Sequence, residues 1–166
     1  MKETSVVVSL ALAAALAAAC SSTTLTPTDA GPQTYVISGT CGPLPVEITN
    51  PLLLTGPCDL GAAGEYTLDA GLMIQIGHCG ATPVQITADW IQGSSVLHST
   101  FVGNAEVPCD AGVSGTFPIG GTFTYAGGTG PFVDATGSAD VDGGVAYDTN
   151  PAIGPANLTL SGSLTY

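Results

Sequence analysis

The chain has 166 residues, 13 carboxylates against a single Lys or Arg, and a formal net charge of −12, which makes nucleic acid and anionic lipid head groups poor partners. Glycine (23) and proline (12) are both abundant and charged residues supply only 8%, a composition of short strands joined by tight turns rather than of helices. The negative field favours cations or a basic protein surface, with salt-sensitive strength, although solubility alone also accounts for it.

The chain opens on Lys2 followed by the apolar run from Val6 to Ala19, the layout of an export signal. That run, about 14 residues, is short for a membrane span. Cys20 follows Ala17-Ala18-Ala19 directly and resembles the lipobox of bacterial lipoproteins, in which the cysteine is acylated and becomes the new N-terminus. Ser21 in the next place is similar to the outer-membrane sorting pattern. The resemblance implies palmitate at Cys20, a membrane partner held through the N-terminal lipid, and an exported protein anchored to the outer membrane of the cell envelope. Cleavage by the ordinary signal peptidase is the alternative, since Ala17-Ala18-Ala19 also satisfies its small-x-small rule. Removal of the signal takes away Lys2, so the mature chain has neither Lys nor Arg and cannot form a salt bridge with either. The organisation expected is a signal peptide over 1–19, a Ser/Thr/Pro-rich tether over 20–34, and one domain over 35–166.

Beyond the tether the apolar residues alternate with period two. Val46 and Ile48 oppose Glu47 and Thr49; Val84, Ile86, Ala88 and Trp90 oppose Gln85, Thr87 and Asp89. Phe123 and Tyr125 oppose Thr122 and Thr124, and the chain closes with Leu158, Leu160, Leu164 and Tyr166 against Thr159, Ser161, Ser163 and Thr165. One apolar and one polar face per strand predicts an antiparallel all-β domain with one side on a core. The alternation is the same in a barrel and in a β-sandwich, so both architectures stay open.

With Cys20 acylated, four cysteines remain, and an even count in an exported chain predicts two disulfides. An internal echo, Cys41-Gly-Pro-Leu-Pro-Val-Glu-Ile-Thr49 against Cys79-Gly-Ala-Thr-Pro-Val-Gln-Ile-Thr87, with Pro57-Cys58-Asp59 against Pro108-Cys109-Asp110, suggests a duplicated unit. One bridge per copy pairs Cys41 with Cys58 and Cys79 with Cys109; the runner-up pairs Cys41 with Cys79 and Cys58 with Cys109. Asp59 and Asp110, each just after a cysteine, suit turns in which the carboxylate bonds its own backbone.

The segment from Thr122 to Ala139, with Gly127-Gly128-Thr129-Gly130-Pro131-Phe132 at its centre, and the closing Leu158–Tyr166 together resemble the last hairpins of the allene oxide cyclase and dirigent-like β-barrels. The resemblance covers about residues 95–166. It implies an antiparallel barrel of about eight strands, often with an apolar cavity, in which Phe132 plugs one end behind a tight glycine turn. It also implies small residues at Ala135, Gly137 and Ala139 where the barrel curves. The arginines that dirigent proteins use are absent from this chain, so no catalytic residue carries over.

Candidate sites are few. Trp90, Phe123, Tyr125 and Phe132 would face a small apolar ligand held in a barrel. Asp140 and Asp142, with Asp134 at the same parity, offer hard oxygen atoms for Ca²⁺ but lack the remaining ligands of a calcium loop. His78 and His98 have no Gly-x-Ser-x-Gly to serve, and Ser95, Ser99 and Ser114 stand in no nucleophile pattern. The reading is therefore a non-catalytic binding or interaction lipoprotein that needs no cofactor, with a small apolar ligand or a basic protein surface as partner. The alternatives are a cyclase-type enzyme acting on a lipid-like substrate in the barrel, and a purely structural surface protein.

Overall fold

The computed structural model describes residues 31–47, 52–72, 80–107, 109, 114–147 and 153–166. Within them lie nine strands: β1 (Thr34–Leu44), β2 (Val46–Glu47), β3 (Leu52–Gly61), β4 (Glu65–Leu72), β5 (Gly80–Gln92), β6 (Ser95–Val107), β7 (Gly115–Gly128), β8 (Thr136–Tyr147) and β9 (Ile153–Thr165). Each strand from β3 to β9 pairs antiparallel with the next, and β1 lies between β9 and β3. The result is a closed eight-stranded antiparallel barrel, with the two-residue β2 extending the margin of β3. The period-two pattern left barrel and sandwich open; closure between β1 and β3 decides for the barrel.

The predicted faces appear where the alternation put them. Val84, Ile86, Ala88 and Trp90 point inward from β5, as do Phe123 and Tyr125 from β7 and Leu158, Leu160 and Leu164 from β9. Their neighbours Thr87, Asp89, Thr124, Thr159 and Ser161 are exposed on the outer wall. An apolar interior inside a Thr-, Ser- and Asp-rich exterior is the reverse of the arrangement in a barrel whose wall faces lipid.

Inward glycines let so narrow a barrel close. Gly103 on β6 and Gly121 on β7 are register partners, and the Phe101 ring lies in the space their side chains would occupy. A Cβ on Gly121 would also collide with the backbone of Val102 and Gly103. Glycine here trades a side chain for close approach of two backbones, and the neighbouring aromatic refills the gap.

One barrel end is closed by the chain itself. Gln33 and Tyr166 exchange backbone hydrogen bonds of 2.8 and 3.0 Å there, next to the short turns after β3 and β5. Between β7 and β8 a 3-10 turn over Gly130–Phe132 follows Gly127 (φ +71°) and precedes β8. It drives Phe132, fully buried, against Tyr166 (ring centroids 4.8 Å) and Tyr66 (6.0 Å). This is the plug expected of Phe132; of the expected small face, Ala135 and Ala139 are buried and Gly137 between them is half-buried.

The Cys41–Cys58 disulfide sits on the seam where the barrel closes. The two residues are register partners across β1 and β3, their Cα atoms are 4.0 Å apart, and both side chains are buried inside. This excludes the runner-up connectivity. Cys109 is also disulfide-bonded, while Cys79 lies outside the described residues. The two halves of the sequence echo do not occupy equivalent strands. The first crosses from β1 into β2, whereas its counterpart from Gly80 onward belongs to the single strand β5.

Candidate functional site

The inward aromatic residues form two groups of touching rings. Phe101 packs on Phe123 (5.2 Å between centroids), Phe123 meets Trp90 edge-on (5.1 Å), and Trp90 meets Tyr125 (5.9 Å). Tyr66, Phe132, Tyr166 and Tyr35 form the second group, at the plugged end. Edge-to-face contacts at these separations are favourable in themselves, so each ring helps to fix its neighbour. Trp90, Phe123, Tyr125 and Phe132 therefore do face the interior, and each packs against other rings of the chain. The void bounded by Leu54, Ile86, Phe101, Ile119, Phe123, Val141 and Leu158 measures about 20 Å³, room for a water molecule and no more.

Among the described residues Ser99, Tyr125 and Tyr66 bring polar groups into this interior. Ser99, on β6, accepts the Trp90 indole N–H at 2.8 Å and donates to the Ala88 carbonyl at 3.3 Å, so the indole nitrogen is satisfied. Tyr125 is 2% exposed and its hydroxyl has no hydrogen-bond partner among the described residues. Burial pushes the Tyr125 hydroxyl well above the ordinary tyrosine pKa, with the Tyr66 hydroxyl adding to it. Tyr66 is raised in the same sense, first by burial and then by Tyr166 and Tyr35; its hydroxyl donates to the Ala63 carbonyl at 3.1 Å. Among the described residues no carboxylate or imidazole is buried inside the barrel.

The histidine of the described residues is on the other side of the wall. His98 pairs with Asp89 through Nδ1 at 2.7 Å, both side chains about half exposed, one residue before the inward-facing Ser99. Strand parity thus puts His98 and Ser99 on opposite faces, which rules out a dyad between them. His78 lies outside the described residues. The carboxylates considered for calcium are also on the outside. Asp140 accepts the Thr122 hydroxyl at 3.0 Å, and Asp134 and Asp142 are exposed. The structure does not gather Asp134, Asp140 and Asp142 into one ligand set: among the described residues no three His, Cys, Asp or Glu groups are placed to hold a metal ion.

The outer wall carries one sizeable concavity among those bounded by described residues, about 510 Å³, where β1, β3, β4 and β5 run side by side. Thr40, Pro57, Asp59, Glu65, Thr67, Ile91 and Gln92 line it. Asp59 and Glu65 are register partners across the β3–β4 hairpin, so two carboxylates stand directly opposite each other. Asp59 uses one oxygen as a turn former, accepting the Gly61 N–H at 2.8 Å, the role its position after Cys58 suggested. Opposed like charges destabilise a sheet unless something relieves them. On the same wall Asp69 and Asp89 are also opposed, but Thr55 and His98 bond to them. The sequence does carry a signal for the Asp59–Glu65 pair. The turn Gly61-Ala62-Ala63-Gly64 lies midway between them, and a tight hairpin centred there makes the flanking acids cross-strand neighbours.

The chain matches no family model, no curated protein and no solved structure. No helix among the described residues is long and apolar enough to cross a membrane.

Proposed function

We propose that this protein is an envelope-anchored, non-catalytic interaction lipoprotein, held to the outer membrane through acylated Cys20 and engaging its partner with the outer wall of the barrel. The observation that carries this reading is the packing of the described interior. Among the described residues the void beside Phe101 and Phe123 measures about 20 Å³, and the inward positions hold no carboxylate or imidazole with which to move a proton. A cyclase acting on a lipid-like substrate would need both the room and the acid or base. The wall, by contrast, is polar, acidic and free of Lys and Arg, so its electrostatic complement is a basic protein surface. The export signal and Cys20, both outside the described residues, supply the location by their likeness to a lipobox.

Native mass spectrometry of the protein extracted from its own membranes tests the reading. The expected mass is the chain from Cys20 with its acyl groups and two disulfides. Additional mass that falls away on denaturation would identify a ligand inside the barrel and overturn the assignment of binding to the wall. A mass without acyl groups would remove the lipid anchor.

A further inference from the structure

We propose that Tyr35 and Tyr166, at the plugged rim of the barrel, are a site of oxidative cross-linking that joins β1 to β9 through a dityrosine bond. The co-reactant is a one-electron oxidant, such as a peroxidase that consumes hydrogen peroxide. The ladder brings the two side chains together. Gln33 and Tyr166 exchange backbone hydrogen bonds of 2.8 and 3.0 Å, and Tyr35 is the register partner of Leu164. Tyr35 and Tyr166 are therefore diagonal neighbours across an antiparallel pair, a spacing that aromatic side chains span. Their rings stack with centroids 4.8 Å apart and planes 18° from parallel. Phe132 closes the other side of Tyr166, edge-on at 4.8 Å, and so holds that ring against Tyr35. The Tyr35 hydroxyl donates to Gln33 Oε1 at 2.8 Å. Burial first, and then the Tyr35 hydroxyl, raise the Tyr166 pKa, which places the hydroxyl ends of the two rings together. The carbons ortho to those hydroxyls, where a tyrosyl radical carries spin, are thereby neighbours.

Access and competition single out this pair. Trp90, Tyr66, Tyr125 and the phenylalanines are buried, whereas Tyr35 and Tyr166 keep part of their surface in solvent. The described residues include no methionine, and their cysteines are in disulfides, so no thioether or thiol among them competes for the oxidant. Each phenol gives one electron to the oxidant and one proton to solvent, leaving two phenoxyl radicals. Their unpaired electrons join in one carbon–carbon bond between the ortho positions. Each bonded carbon then sheds its hydrogen as a proton, and each ring takes a proton back on oxygen and regains its aromaticity. The chain loses two electrons and two protons in all, and hydrogen peroxide takes them up to become two molecules of water. Rings already in contact couple more readily than rings that must meet between molecules. The bond also encloses a far longer stretch of chain than the Cys41–Cys58 bridge, so it restricts the unfolded state more.

The test exposes the dilute mature protein to ruthenium(III) tris-bipyridine, generated by light with persulfate as the electron sink. A monomer lighter by two hydrogen atoms should form, with the fluorescence of a biphenol and a proteolytic fragment that links Tyr35 to Tyr166. Amides of β1 and β9 should then exchange more slowly than before oxidation. Tyr35→Phe and Tyr166→Phe keep the stacked rings and should each lose nearly all of the product. Tyr147→Phe, at the far end of β8 from the plugged rim, should keep it. The linked fragment of the unaltered protein reads the site even where a variant fails to fold. Coupling chiefly between molecules, a bond through any other tyrosine, or no biphenol at all would overturn the site. Unchanged exchange in β1 and β9 after coupling would overturn its role as a staple.

Discussion

Along β7 and β8, twelve residues pair without a break from Gly115 with Tyr147 to Ala126 with Thr136, whereas β1 and β3 share three registered pairs interrupted by a shift between Ile37 and Thr40. Both are neighbouring strands of one barrel, yet hydrogen bonds alone suffice for the first junction and a buried disulfide joins the second. The difference follows from topology. β7 and β8 are consecutive and joined by a short connection, so their pairing is local. β1 must find β3 and β9 at once, and the β1–β9 ladder joins residues more than a hundred positions apart. Closing that long loop costs chain entropy; the disulfide, between residues 17 apart, does not span it but ties β1 covalently to β3 where the ladder between them is thinnest.

The largest effect expected from this comparison is at the disulfide. The double variant C41A/C58A should lose about 3 kcal/mol in urea unfolding, as expected for a bridge spanning 17 residues. Its amides in β1 and β3 should exchange faster than those in β7 and β8. A loss below about 1 kcal/mol, or uniform exchange, would mean that the seam is no weaker than the wall. On the wall the corresponding break is steric. Gly121→Ala sets a methyl group against the Val102 and Gly103 backbones and the Phe101 ring, and should cost roughly 1–3 kcal/mol.

Ser99→Ala leaves the Trp90 indole N–H buried without an acceptor and should cost about 1–2 kcal/mol, read by the same unfolding experiment. Tyr125→Phe acts in the opposite direction. It removes a buried hydroxyl that has no partner among the described residues, so stability should be unchanged or rise by up to about 1 kcal/mol. A clear loss would reveal an acceptor or an internal water at that hydroxyl. The same residue sets the alkaline limit. Because the folded barrel raises the pKa of Tyr66 and Tyr125 above the ordinary value near 10, their contribution is complete below about pH 10. It is lost as pH climbs from there toward the raised folded values, since the unfolded chain ionises first. Tyrosinate absorbance should therefore show Tyr66 and Tyr125 withheld until the near-ultraviolet dichroism of the fold collapses, with Tyr166, also raised by burial, titrating late as well.

The strand faces were legible because burial on one side of a pleated strand imposes a period of two. Val84 to Trp90, Phe123 with Tyr125, and Leu158 to Leu164 carry that period in the open. Phe132 was legible for a local reason too, since glycines before a proline and an aromatic residue spell a tight turn with a bulky tip. The Asp59–Glu65 pair was within reach of a hairpin argument but easily missed, because like charges opposed across a strand pair contradict the usual pairing preference.

By itself, then, the order of residues determined an all-β chain, the apolar side of its clearest strands, and a chain with no Lys or Arg after Lys2. These are properties of near neighbours and of composition. Only the tertiary structure decided that the sheet closes, that Cys41 meets Cys58 on the closing seam, and that Phe101, Phe123, Trp90 and Tyr125 spend their surface on one another. Closure and filling depend on contacts between residues far apart in the chain, and period-two alternation is identical whether an apolar face meets a ligand or another ring.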